Sequence, residues 1–231
     1  MCATIRPVAR TGLLFTTLLI ASATVCAFEQ TLDPMRLAEA IYIGQSRIDD
    51  VRSRFHAAYH VDIAMAPVDY AEIVTPFRRI ALEAEATTRA GARLYGQREA
   101  LASLGDDPGR LDVVVELTFH PLNTYVGVPG FQIRLQPVAT GMAIEPKQVS
   151  RVPRFGPRLA GSPLAFPYTA GASTTGVFTP PARGTAQPLL GGRLIANFDG
   201  GALMSGGTYW ILISDAGKEL ARGRVDLTGL R

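Results

Sequence analysis

Apolar and polar residues alternate with period two over Leu111–His120. There Val113, Val115, Leu117 and Phe119 interleave with Val114, Glu116, Thr118 and His120. The same alternation returns over Phe131–Gln136, with Phe131, Ile133 and Leu135 set against Gln132, Arg134 and Gln136. Both runs predict strands buried on one face. The connector Pro121–Gly130 contains Pro, Asn and Gly, which suit turns because they fix or relax φ. Together these runs predict a β-hairpin with a long loop, lying where a helix-rich first half gives way to a β-rich second half.

Upstream the period is helical. Asp33-Pro34 offers an N-cap acceptor and a proline for the first turn. Leu37, Ile41, Ile48, Val51, Phe55 and Ala58 then follow at three-, four- and seven-residue steps. The spacing predicts one helix from about Pro34 to Tyr59, with an irregularity near Gly44. Val61–Met65 and Val68–Val74 read as short strands separated by Pro67. Thr75-Pro76 opens a second long helix, with Phe77, Ile80, Ala81, Ala84 and Thr88 inward and Gly91 as its stop. A shorter helix, Gln97–Leu104, ends at Gly105, and the Asp106–Gly109 turn feeds the Leu111 strand.

The texture changes after Pro137. Eight of the 16 prolines fall between Glu145 and Asp199, which argues against helix and predicts short strands, about Leu164–Tyr168 and Thr175–Thr179, among loops such as Gly171–Gly176. The end is regular again: a strand Arg193–Phe198, a turn Asp199–Gly201, and a strand Thr208–Ser214 that is apolar on both faces and so reads as covered on both. Asp215–Gly217 predicts a three-residue hairpin loop, returning through an edge strand, Lys218–Leu227, with Arg222 and Arg224 outward. The chain therefore reads as α+β: N-terminal helices packed on an antiparallel sheet, followed by a sandwich-like β region. The parts divide as residues 1–27, 28–141 and 142–231.

Composition adds a compartment. Arg6 and Arg10 form a positive n-region, Gly12–Ile20 an apolar h-region, and Val25-Cys26-Ala27 a small-residue exit before Phe28, the pattern of a secretory signal. Retention of this segment as an anchor and lipid modification at Cys26 are the alternatives, although Val25 departs from the small residue that usually precedes a lipidated cysteine. The expected destination is the periplasm, cell envelope or exterior. Cleavage would remove both cysteines, Cys2 and Cys26, leaving no disulfide, cysteine nucleophile or thiolate ligand. The apolar run is short of the roughly 20 residues a membrane-spanning helix needs, and no later segment is longer, so the mature chain is expected to have no transmembrane span. Loss of Arg6 and Arg10 also lowers the net charge from +3 to +1. At that balance a whole-protein electrostatic case for nucleic acid fails.

Candidate chemistry is sparse. His56 and His60 are spaced i,i+4, so on a continuous helix they would share a face and, with His120, could form a metal site; HAAYH lacks the glutamate of the HExxH hydrolase signature. G-x-S-x-G, P-loop and dinucleotide fingerprints are absent, and Asp106, Asp107 and Asp112 lack EF-hand spacing. Arg78 and Arg79 oppose the dipole of their helix N-terminus; Glu83 is an i,i+4 partner for Arg79 but not for Arg78. The acid-free stretch after Glu145 carries Lys147, Arg151, Arg154, Arg158, Arg183 and Arg193. These features point to Arg78, Arg79, Arg151, Arg154 and Arg158 as anion- or partner-binding residues of an exported, non-enzymatic interaction protein. Its expected partner is an anionic envelope component or a protein, with no cofactor. The alternative is a metal-assisted hydrolase built on His56, His60 and His120.

Overall fold

Two prolines and two cap side chains start the main helices. The Asp33 carboxylate accepts the Arg36 N–H at 2.8 Å and opens α1 (Pro34–Gln45); Thr75 Oγ1 accepts the Arg78 N–H at 3.2 Å and opens α3 (Pro76–Arg89). Between them stand α2 (Asp49–Ala57), β1 (His60–Met65) and β2 (Val68–Val74). After α3 come α4 (Gln97–Leu104), β3 (Leu111–Thr118), β4 (Gln132–Pro137), β5 (Gln148–Phe155), β6 (Leu189–Phe198), β7 (Thr208–Asp215) and β8 (Lys218–Asp226). The computed structural model describes residues 28, 31–91, 95–120, 122–139, 141–156, 188–203 and 207–231. The signal-like segment, Arg158, Gly171–Gly176 and the two strands expected at 164–168 and 175–179 lie outside them.

The result is an α+β fold with two antiparallel sheets. One has the order β1-β2-β3-β6-β5, the other β4-β7-β8. Val113, Val115 and Leu117 of β3, Leu194 and Ala196 of β6, and Ala71 and Ile73 of β2 form one wall of the main core; Ile133 and Leu135 of β4 with Tyr209, Ile211 and Ile213 of β7 form the other. A second core joins α1, α3 and α4 through Leu37, Ile41, Phe77, Ile80, Ala84 and Leu104. Phe55 packs against both, 5.8 Å from the Phe77 ring and 5.1 Å from the Tyr59 ring.

Three sequence expectations require correction. The Leu111–Pro137 stretch is not a hairpin: β3 pairs with β2 and β6, while β4 pairs with β7 in the other sheet. Each strand has a fully apolar face, and placing them across the sandwich buries both faces against each other, with Phe119 and Phe131 buried at the two ends of the crossing. The single helix over 34–59 is two helices, because the chain leaves α1 at Ser46, whose hydroxyl accepts the Ile48 N–H at 3.2 Å, a local bond that competes with helix. Beyond that break Ile48, Val51 and Ala58 are exposed, and of the expected apolar face Phe55 alone packs inward from α2. The β7–β8 connection is a two-residue loop, since Asp215 pairs with Lys218, and Ala216 and Gly217 both have positive φ (46° and 83°).

β7 is central in its sheet, with Tyr209, Ile211 and Ile213 buried; its other face, Trp210 and Leu212, is half-buried, and the Arg222 guanidinium lies over the Trp210 ring at 5.5 Å. Both sheets draw strands from either side of residue 141. Glycine at 223 in β8 leaves room for Val61 and Ile63 of β1, closing one side of the sandwich. Among the described residues, the opposite side, between the edge strands β4 and β5, is left as a groove. Among the described residues, no helix is long and apolar enough to cross a membrane.

Candidate functional site

Strand register decides which way each expected arginine faces. On the outer face of the five-stranded sheet Tyr70, Glu116, Arg193 and Val152 form one cross-strand row, and Thr118, Gly191 and Arg154 the next. Glu116 is buried and gathers two cations: its Oε2 accepts from Arg193 Nε at 2.7 Å, and its Oε1 lies 3.3 Å from Arg154 Nη1. Arg154 Nη2 also donates to the Leu117 carbonyl at 3.2 Å and to Thr118 Oγ1 at 3.0 Å. The bond to Glu116 holds the Arg193 pKa above its ordinary value, while burial pushes the Tyr70 hydroxyl up.

Arg78 and Arg79 reach acids remote in sequence. Arg78 is 2% exposed; it donates to the Ile73 carbonyl at 2.7 Å, pairs with Glu72 at 3.2 Å and lies over the Tyr59 ring at 5.1 Å. Arg79 pairs with Asp112 at 3.1 Å, not with Glu83, and shares that carboxylate with Arg110 and Asn197. Burial lowers the pKa of both guanidinium groups, opposed by Glu72 at Arg78 and by Asp112 at Arg79. These two arginines tie α3 to β2 and β3.

Arg151 differs. It sits three residues from Arg154 on a strand, so it faces the opposite side, opposite Leu194. There it lines the groove between β4 and β5, about 460 Å³ in volume, together with Gly130, Gln132, Arg134, Glu145 and Val149. Arg134 Nε is 2.7 Å from Glu145 Oε1 in the wall of this groove. Arg151 has no hydrogen bond or ion pair with any described residue, and its Nη2 lies 3.5 Å from where a β-carbon on Gly130 would stand. Of the four described arginines singled out by sequence, it alone has no acid partner.

The histidines stand apart. His56 Nε2 meets Glu85 at 3.0 Å, a buried carboxylate that also pairs with Arg52 and Arg89. α2 ends at Ala57, so His60 is not on the helix; it begins β1, 3.0 Å from Asp62, with its ring 4.5 Å from the Tyr70 ring and tilted by 38°. His120 lies beyond β3, and its Nδ1 accepts the Leu122 N–H at 3.2 Å. His60 is level with Val114 across the sheet, and six further residues at ~3.3 Å each set His120 roughly 20 Å away. Among the described residues no group of three His, Cys, Asp or Glu side chains is placed to share a metal ion.

A second groove, about 570 Å³, lies beside the connector that follows β3 and is largely apolar, with Tyr125, Val126, Phe155 and Leu189 in its walls. Comparison with family models, curated proteins and solved structures finds no match to this chain. Sequence reading missed the role of Glu116, Arg134 and Glu145. The one signal was Glu145 itself, the last acid before a long basic stretch.

Proposed function

We propose that this chain is an exported, non-enzymatic binding protein of the cell envelope or exterior that takes an anionic component or acidic protein partner in the groove between β4 and β5. The observation that carries the reading is Arg151: a guanidinium exposed in a concave site, without a counter-charge among the described residues. Most other described arginines are neutralised within the fold, Arg78 by Glu72, Arg79 by Asp112 and Arg154 by Glu116. An uncompensated cation in a groove attracts anions at long range and binds them by charge-assisted hydrogen bonds at short range. The signal-like N-terminus supports delivery to a compartment rich in such partners.

Isothermal titration of the secreted form with hexaglutamate tests this. Binding should weaken as salt rises, and Arg151→Gln should weaken it by about tenfold, one charge-assisted bond. Arg47→Gln, an exposed cation in the α1–α2 break, should leave it unchanged. Equal binding by Arg151→Gln would refute the assignment. Neutralising Arg154 and Arg158 as well distinguishes a single groove from a broader basic surface: only the latter loses more affinity.

A further inference from the structure

The register of β4 on β7 fixes where its backbone groups point. Val138 donates its N–H to the Thr208 carbonyl at 3.0 Å, so residues 132, 134, 136 and 138 bond to the β7 side and the alternate residues turn outward. Two of these outward residues are occupied. Leu135 exchanges both bonds with Ile144, at 3.1 and 2.7 Å, and Pro137, which has no N–H, accepts from Gly141 at 3.2 Å. Ile133 is the next outward residue. Continuing the antiparallel line from Ile144 would bring Pro146 opposite it, and proline cannot donate; the chain leaves the β4 edge there for β5. Ile133 is 1% exposed, and its outward N–H and C=O have no partner among the described residues. A buried peptide group without a partner is rare in native proteins. This one faces the groove that holds Arg151.

Resting on the binding function proposed above, we infer that the occupant of this groove is a short extended acidic peptide segment that adds to β4 beside Ile133 and places a carboxylate on Arg151. Ile133 presents a donor and an acceptor side by side, and a peptide backbone in β conformation satisfies both. A bare phosphodiester supplies acceptors only and would leave the carbonyl unpaired, whereas an extended peptide offers its donor and its acceptor at the spacing of a β-ladder. The Leu135–Ile144 bridge shows that this edge already accepts an added strand one step further along. Arg134 is matched by Glu145, so the site retains the charge of Arg151, which selects an acidic side chain.

The test is selection of short random peptides on the intact secreted chain, counter-selected on Arg151→Glu, followed by titration of the top peptide and of versions N-methylated at single positions. Enriched peptides should carry an acidic residue, bind Arg151→Gln about tenfold more weakly, lose binding on N-methylation at one central position, and slow hydrogen exchange at the Ile133 amide. A peptide that tolerates every N-methylation, or leaves Ile133 exchange unchanged, overturns strand addition. Failure to enrich any peptide while hexaglutamate still binds through Arg151 also overturns it, leaving the anion site standing. Silence in both experiments overturns both.

Discussion

Gly44 lies in the last turn of α1 where that helix crosses α3. A β-carbon built on it would stand 2.2 Å from the Ala81 carbonyl oxygen and 2.7 Å from the Ala84 β-carbon. Two effects compete in Gly44→Ala. Helix propensity favours alanine by up to ~1 kcal/mol, less near a helix end. Against this, the clash is with backbone, so the helices must part by about 1 Å, and a gap of that size forfeits a quarter to a half of each van der Waals contact along the seam. The seam includes Leu37, Ala40, Ile41, Phe77, Ile80 and Ala84, all buried. Overpacking of this kind costs about 1–3 kcal/mol, and the seam's completeness places it at the upper end. We expect a net loss of about 2 kcal/mol, a fall in Tm of roughly 4–8 °C for a chain this size. Thermal and urea unfolding followed by circular dichroism reads it, with Tyr42→Ala on the outer side of the same helix as a near-neutral control. A midpoint for Gly44→Ala at or above the parent's would mean that α1 and α3 are not in backbone contact, and the reasoning would fail.

Other outcomes follow from the same geometry. Ala216 has φ +46° in the exposed β7–β8 turn, so Ala216→Gly should raise stability by about 0.5–1 kcal/mol, relieving the left-handed strain of a β-carbon; a lower urea midpoint would contradict it. Glu116→Gln should release Arg154 and Arg193, whose side chains are more than half exposed. Solvent screening keeps the stability loss near ~1 kcal/mol, while salt-sensitive hexaglutamate binding should rise on the outer sheet face; unchanged binding would mean those cations remain masked. Glu39, Glu99 and Asp226 are each held below the ordinary carboxylate range, Glu39 by its bond to Arg36, Glu99 by backbone bonds and Arg98, and Asp226 by Thr228. A depressed carboxyl stabilises the fold fully above its unfolded pKa and loses that contribution as pH falls through the folded value. Urea midpoints should therefore be flat above about pH 5 and decline on acidification below about pH 4; a midpoint that rises there would contradict the assigned bonds.

Local signals were legible where they were self-contained. Asp33-Pro34, Thr75-Pro76 and the glycines at 91 and 105 mark helix ends that the structure keeps, and the alternation over Val68–Val74 marks β2. Pairing was not legible. The alternation in β3 and β4 says that each buries one face, but the same pattern serves two neighbours in one sheet and two strands facing across a sandwich. The site failed for a related reason. Arg78 and Arg154 read as cations without a local partner, and Arg79 as a partner of Glu83, because Glu72, Asp112 and Glu116 come beside them only through packing and strand register. Arg151 and Arg154 looked like one patch in sequence, and strand geometry sends them to opposite faces. The missing expected face on α2 has a physical source in Ser46, whose turn-forming bond a periodicity argument does not weigh.

Anion recognition in the groove between β4 and β5 is proposed to rest on Arg151, which has no acid partner among the described residues. The NMR signal of the Arg151 side-chain N–H, followed during titration of the chain with hexaglutamate and assigned by comparison with Arg151→Gln, tests this. A saturating shift is expected at Arg151, with smaller changes at Gly130 and Arg134 and little movement at Arg78 or Arg79. Saturation at those buried arginines, or a titration that leaves the Arg151 signal in place, would contradict it.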